Sequence, residues 1–232
     1  MISICMAVKN GELFIKEQLE SILPQLAGND ELIISDDNSN DATVGIIESF
    51  GDQRIKVLKN PEAGILSNFQ NALQFASGDK IFLADQDDVW IANKIQRMSP
   101  LLDQYEAVVC DCAIVDERLK PEPLSFFEVN KSNKGILKNI MRNSYIGCCM
   151  AFNRTLLDRI LPFPKNIPMH DLWIGLIAEL HFTVFFLPEK LVLYRRHNNN
   201  ATTTLNKSSR SIITRMSSRY HLIKNLIRTT YA

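Results

Sequence analysis

The sequence predicts an α/β fold with a mostly parallel central sheet. Three features carry that prediction: apolar runs of strand length alternate with amphipathic segments of helix length from the start of the chain, clusters of acids close two of those runs, and one basic amphipathic segment ends the sequence. Ile2 to Val8 reads as the first strand, and Glu12 to Leu23 as an amphipathic helix stopped by Pro24. Glu31 to Ser35 is the second strand, followed by a helix beginning near Asp41. The unit repeats with Arg54 to Leu58 as strand, Gly64 to Ala76 as helix and Lys80 to Ala84 as strand; Ile65, Phe69, Ala72, Leu73 and Ala76 share one helical face.

In such sheets ligands collect beyond the carboxyl ends of the strands, so "SDDNSND" from Ser35 and "DQDD" from Asp85 are expected on one rim, facing one crevice. After Trp90 the pattern is less regular. It predicts a helix at Asn93 to Leu102, a strand at Ala107 to Asp111, a Pro-broken stretch around Pro121 and Pro123, and a helix at Gly135 to Arg142. "YIGCCMAF" (Tyr145 to Phe152) reads as a strand and "DLWIGLIAEL" (Asp171 to Leu180) as a helix. "FTVFFL" and "KLVLYR" read as two strands separated by Pro188, and "HNNNATTT" as a mobile loop. The expected organisation is one domain over residues 1–205, with a nucleotide-binding half at 1–110 and an acceptor-binding half at 111–205. A basic amphipathic helix follows at 206–232.

With 232 residues, 46% of them hydrophobic, the chain can bury a sizeable core. Its net charge of zero argues against a nucleic-acid partner. The charge is uneven, however: no acid follows Glu189, while Lys and Arg continue to Arg228. In the last segment Ile212, Ile213, Met216, Tyr220, Ile223 and Ile227 fall on one helical face, with Arg210, Lys224 and Arg228 opposite; such a helix suits an anionic membrane surface, docking on the acidic body, or pairing in a homodimer. The five cysteines form neither a disulfide framework nor a zinc pattern, and "MISICMAV" lacks a basic signal region. A cytoplasmic protein is expected, with any membrane contact peripheral.

The chemistry concentrates in "IFLADQDDVW". Two like charges about 4 Å apart repel by about 4 kcal/mol at an effective dielectric of about 20, so Asp85, Asp87 and Asp88 need a bound cation, a shared proton, or side chains that point apart. Mg²⁺ or Mn²⁺, which takes one or two carboxylates and completes its shell with water and phosphate oxygens, is the simplest offset. A helix cap explains only one Asp. His197, after "LVLYRR", is a candidate ligand for the metal or a diphosphate, and Arg195 and Arg196 offer charge for a diphosphate, although strand alternation turns only one of them inward. Trp90 and Trp173 are candidates for core, wall or saccharide platform, with Trp173 the better acceptor-site candidate.

The order and spacing of "SICMAVKNGELFIKEQLESILPQ", "ELIISDDNSNDAT", "LADQDDVW", "GCCMAFNRTLL", "MHDLWIGLIA" and "LVLYRRHNNN" resemble glycosyltransferase family 2 across residues 2 to 200, closest to bacterial O-antigen and capsule rhamnosyl- and galactosyltransferase-like members. The resemblance implies a GT-A fold, a Rossmann-like nucleotide-binding sandwich. It implies metal-dependent, inverting transfer of a sugar from a UDP-, dTDP- or GDP-linked donor to a saccharide or lipid-linked saccharide, with Mn²⁺ or Mg²⁺ as cofactor. Ala7, Lys9, Asn10 and Gly11 would line the nucleotide pocket, Asp37 would contact the base, and Asp36 would support it. The DxD element falls on Asp85-Gln86-Asp87, with Asp87 the direct metal contact and Asp88 adjacent. Asp171 matches the catalytic base; read alone, it would cap its helix. Gly147 lies in a family landmark on the acceptor side, and His170 stands where the family often has Glu. The chain also departs from the family before Asn10, where an aromatic is usual and this chain has Val8-Lys9-Asn10. Two rival readings are a haloacid-dehalogenase-like phosphatase with Asp85 as nucleophile, since "IFLADQDDV" fits its signature, and a catalytically silent nucleotide-sugar binding scaffold.

Overall fold

The computed structural model describes residues 1–197 and 212–230. In its first strand, β1 (Ile2–Val8), Ile4, Cys5 and Met6 are fully buried, as only a strand with neighbours on both edges and cover on both faces can be. β2 (Glu31–Asp36) and β4 (Lys80–Asp85) pair with it in parallel, and β3 (Ile55–Lys59) pairs in parallel with β2. The crossovers are α1 (Ile15–Ile22), α2 (Thr43–Ser49) and α3 (Ile65–Gln74), each placed where periodicity predicts a helix. Pro24 does not stop α1 abruptly, because Leu23–Gln25 continue as a single 3-10 turn.

The second half is mixed. β5 (Val89–Trp90) is followed by α4 (Lys94–Met98), β6 (Ala107–Val115), β7 (Pro121–Ser125), α5 (Phe126–Asn130) and α6 (Ile136–Met141). β8 (Met150–Asn153), α7 (Arg154–Ile160), α8 (His170–His181), β9 (Val184–Arg195) and α9 (Ile212–Thr230) complete the described elements. One sheet runs β3-β2-β1-β4-β8-β6-β9-β5, with β7 on the free part of β6. The position between residues 110 and 111 falls inside β6, and that between 205 and 206 lies outside the described residues.

Three local expectations are corrected. Tyr145 to Phe152 is not a continuous strand: Gly147–Cys149 form a 3-10 turn before β8. The Pro-broken stretch contains an edge strand, β7, where prolines have no central ladder to interrupt. Pro188 does not divide two strands. The register along β6 jumps from Cys110↔Leu187 to Asp111↔Lys190, so Pro188 and Glu189 bulge out of the ladder and its missing N–H is not needed. The bend lets the end of β9 take β5 on its other edge, through Val89↔Leu193 and Trp90↔Val192. That pairing brings Arg195 and His197 against the acidic turn after β4.

α9 packs on the body through leucines outside the predicted apolar face. Leu222 and Leu226 are the buried side chains, while Tyr220, Ile223 and Ile227 on the predicted apolar face remain exposed. The side chains of 212–216 and the segment "NNNATTT" lie outside the described residues.

Candidate active site

The two acidic turns do share one rim, because β1 lies between β2 and β4 and all three strands point the same way. On one side, burial works against the charge of Asp37, but hydrogen bonds from Lys9, Asn60 and the Gly64 N–H overcome it and hold the carboxyl below its usual range. Lys9 Nζ donates to Asp37 Oδ2 at 2.9 Å, Asn60 Nδ2 to Oδ1 at 3.0 Å, and Gly64 N to Oδ2 at 3.2 Å. Asp36 is a turn-former: its carboxylate accepts from Ser39 N and Oγ.

The Lys9–Gly11 loop is laced between both turns. Lys9 N donates to Gln86 Oε1 at 2.8 Å and Gln86 Nε2 to Lys9 O at 3.0 Å, so Gln86 pairs with a backbone as a neighbouring strand would. A Cβ on Gly11 would lie 2.5 Å from Gln86 Oε1, which is why this position takes glycine. Asn10 has positive φ and accepts from Asn40 N, and Ala7, at the end of β1, is paired with Asp85.

The DQDD turn disposes of its carboxylates in three ways. Asp87 faces His197, with Oδ2 and Nε2 2.8 Å apart and both side chains largely covered. Asp88 is fully buried; its Oδ1 accepts from Arg195 N at 2.9 Å, and burial followed by repulsion from Asp87 and Asp85 pushes its carboxyl well up, toward the protonated form. Asp85 lies at the crevice, pushed up to about 8 by burial and then by Asp87 and Asp171. Asp85, Asp88 and Cys148 have donor atoms within 4.8 Å of one another, but a thiol suits soft ions rather than Mg²⁺ or Mn²⁺. Asp87 and His197 are the better pair: two ligand atoms each about 2.1 Å from an ion, at right angles, stand about 3 Å apart.

Asp171 joins this crevice from the other half of the sheet. It does not cap α8, which starts one residue earlier with Met169 as N-cap and no side-chain cap. Its Oδ1 accepts from Leu172 N at 2.5 Å and Asn143 Nδ2 at 3.3 Å, and Gly147 N also donates to the carboxylate. Burial nevertheless raises it to about 7. Gly147 is tightly constrained, since a Cβ there would lie 2.7 Å from His170 Nε2. His170 stacks on Phe69 with ring centroids 3.9 Å apart; neither ring nitrogen has a hydrogen-bond partner, and burial lowers its pKa to about 3.

Other sequence-predicted residues have different partners from those expected. Arg195 faces inward but is structural: Nε donates to Asp87 O at 2.8 Å, Nη1 to Glu117 O at 2.7 Å, and Nη2 to Glu17. It braces the turn rather than facing a diphosphate. Arg196 is the half-buried one of the pair, its N–H bonded to Val115 O. Trp173 is 1% exposed and donates from Nε1 to Ile160 O, which makes it core rather than a saccharide platform. Trp90 is buried beneath the turn, with Lys94 Nζ 3.7 Å from its ring centroid.

Sequence reasoning missed the amides that hold the site. Gln18 Nε2 donates to Asp85 O at 2.7 Å, Ser21 Oγ accepts from Trp90 N, and Gln25 Nε2 donates to Ile91 O, all from one stripe of α1 and the turn after it. Asn68 Nδ2 reaches Val8 O, and Asn71 Nδ2 reaches Ser35 Oγ. Polar residues at helical spacing on an inward face were the available signal. A groove of about 880 Å³ lies between the first turn of α3, residues 163–169, and Ser217, Ser218 and His221 of α9, and it reaches Met169 beside His170 and Asp171.

Residues 3–161 match the model of Glycosyl transferase family 2. The chain belongs to glycosyltransferase family 2. A family 2 relative in Escherichia coli, the UDP-Glc:alpha-D-GlcNAc-diphosphoundecaprenol beta-1,3-glucosyltransferase WfgD, is 31% identical over 77% of this chain and 70% of its own length. The dTDP-rhamnosyl transferase RfbG of Shigella flexneri is 24% identical over 84% of this chain and 72% of its own. The GT-A fold is shared with Staphylococcus aureus TarS in complex with UDP-GlcNAc (TM-score 0.74, 18% identity) and with the mannosyltransferase PcManGT of Pyrobaculum calidifontis in complex with GDP-Man and Mn²⁺ (TM-score 0.67, 20% identity). The chain aligns over 98% of its own length in each case, and spans 66% and 64% of those two structures. Family 2 membership sets aside the phosphatase reading, which would also need its nucleophile on the first strand rather than the fourth.

Proposed function

We propose that this glycosyltransferase moves a sugar from a nucleoside diphosphate sugar to a hydroxyl of a lipid-linked saccharide, with inversion at the anomeric carbon, in bacterial surface polysaccharide synthesis. The observation that carries the reading is Asp171: a carboxylate raised to about 7, held by Asn143 and Gly147, and close enough to Asp85 to raise that group in turn. A base whose pKa lies near neutrality combines availability with proton affinity. Asp171 takes the proton of the acceptor hydroxyl as that oxygen attacks the anomeric carbon and the bond to the diphosphate breaks. No covalent enzyme intermediate is needed.

Asp37, positioned by Lys9 and Asn60, is directed to the base, and the Lys9–Gly11 loop lies along the nucleotide. Asp87 and His197 would hold a divalent cation, Mn²⁺ or Mg²⁺, which when bound offsets the charge of the donor diphosphate. The groove at Met169 is the acceptor's approach. The E. coli relative's name, which includes a diphosphoundecaprenol acceptor, supports a lipid-linked acceptor. The reading places the site on the cytoplasmic side of a membrane; among the described residues no helix is long and apolar enough to cross one.

The test is Asp171→Asn. Transfer from a panel of UDP-, dTDP- and GDP-sugars should fall by about 10²–10⁴-fold, while calorimetric binding of the nucleotide in Mn²⁺ stays within about twofold of wild type. An active variant removes Asp171 as base. A wild type that binds donor but transfers to no saccharide acceptor supports the silent scaffold instead.

A further inference from the structure

We propose that α6 and α9 form one surface that lies on an anionic lipid bilayer. On α9, Tyr220 is 63% exposed and Ile227 54%, with Ile223 between them on the same face. Leu222 and Leu226, on another face, are buried, so the helix already has its anchor to the body and its second apolar face is left over. α6 extends this face. Leu137 and Met141 are its exposed apolar side chains, and Arg219 of α9 donates to Met141 O at 2.8 Å, which puts the end of α6 within an arginine's reach of α9.

Isolated exposed apolar residues need no explanation, but three on one face of α9, with two more on α6 bridged to it by Arg219, do. Charge selects the occupant. Lys131, Lys134, Lys138 and Arg142 surround α6, and no acid occurs from Val129 to Leu157. Lys224 and Arg228 border the exposed face of α9 rather than opposing it, each one residue or about 100° beyond an exposed isoleucine, Arg219 directly precedes Tyr220, and no acid follows Glu189. A second copy of this chain would bring the same cations face to face, whereas anionic headgroups neutralise them while the apolar side chains enter the acyl boundary. The helix lies in the interface rather than crossing it, because among the described residues no helix has a spanning stretch.

Bilayer contact stands without the sugar-transfer reading; one consequence rests on it. Ser217, Ser218 and His221, on a third side of the same helix, wall the groove that reaches Met169. A docked α9 therefore sets the groove beside the lipid surface, where a lipid-linked acceptor would present its saccharide.

The experiment is co-sedimentation of the whole chain with vesicles of phosphatidylcholine alone and of phosphatidylcholine mixed with phosphatidylglycerol, at low and high salt. Wild type is expected to bind the anionic vesicles and release as salt rises. Lys224→Gln with Arg228→Gln should weaken partitioning by about 25-fold, at roughly fivefold per cation. Ile223→Ser with Ile227→Ser should weaken it at least tenfold while leaving the circular dichroism and UDP binding unchanged. Equal binding to neutral vesicles, or none to either, overturns the proposal. So does a wild-type dimer that both double variants dissolve without any vesicle binding, which would make the face an interface between copies. Failure of wild type to bind UDP, dTDP and GDP alike would count against the proposed function and leave the vesicle result standing.

Discussion

The two acidic turns on the rim began as similar stretches of sequence and end in opposite electrostatic states. Asp37 is met by a lysine, an amide and a backbone N–H, and its carboxyl is held below its ordinary value. Asp85 and Asp88 are both raised, first by burial and then by repulsion, from Asp87 and Asp171 in the one case and from Asp87 and Asp85 in the other. The first turn is neutralised by the protein's own donors and is complete in the free chain. The second retains uncompensated repulsion that Arg195, bound to the Asp87 carbonyl and to Glu17, does not remove from the carboxylates themselves. A turn left in that state favours a cation brought with substrate, since ion binding is strongest where the free protein has been denied other compensation.

The sharpest way to break this contrast is to remove the pair at the open end. Asp87→Asn and His197→Ala should each lower transfer by at least about 10²-fold, the scale typical of a lost charge-stabilising contact in a reaction centre. Mn²⁺ should raise the melting temperature of wild type and neither variant. If Mn²⁺ stabilises His197→Ala as much as wild type, the ion lies elsewhere in the turn. The next largest effect is on folding. Arg195→Met leaves the Asp87 and Glu117 carbonyls without a donor and should destabilise by about 2–4 kcal/mol in urea unfolding. It should also loosen the turn, so that Mn²⁺ affinity falls with stability.

The parallel half of the fold was legible because its strands are continuous apolar runs and its helices have one buried stripe; both patterns are local. The acids after β4 stood out because several carboxylates closing one apolar strand are costly to leave together, whereas Asp171 read alone is a helix cap and was singled out through the family resemblance. What was not legible depended on partners distant in sequence. Whether Pro188 ends a strand is decided by register against β6, which no window around residue 188 contains. Alternation turned one of Arg195 and Arg196 inward without saying which, and it named neither the Glu17 nor the Glu117 group that Arg195 meets there. α9 carries two apolar faces, and its own periodicity cannot say that Leu222 and Leu226 would be the pair to dock. Trp173, so near Asp171 in sequence, points to the opposite side of its helix start and into the core.

The neutralised turn should respond more mildly. Asp37→Asn keeps the shape and one of two acceptor oxygens, turns an N–H toward a former donor, and loses the charge that pairs with Lys9, half exposed to solvent. Nucleotide affinity should drop by about tenfold and stability by about 1 kcal/mol. Mn²⁺ binding by Asp87 and His197 should be untouched. An Asp37→Asn protein that loses its Mn²⁺ response would show that the two turns act as one site.

Asp171 sharpens the comparison by pH, with two effects of opposite sign. As a base it must be ionised, so kcat/KM should rise with pH through about 7 in wild type. As a buried carboxyl whose value in the fold lies above its ordinary 3.8, it holds a proton more tightly folded than unfolded. Its contribution to stability is therefore fully present below pH 3.8 and lost as pH rises through about 7. Asp171→Asn cannot lose that proton. Measured by thermal unfolding in chelator, the variant should gain on wild type as pH is raised from 5 to 8, by a few degrees at most, while remaining inactive throughout. Parallel melting curves across that range would mean that Asp171 keeps an ordinary carboxylate pKa, and that the neutral-pH rise in kcat/KM must be assigned to another group.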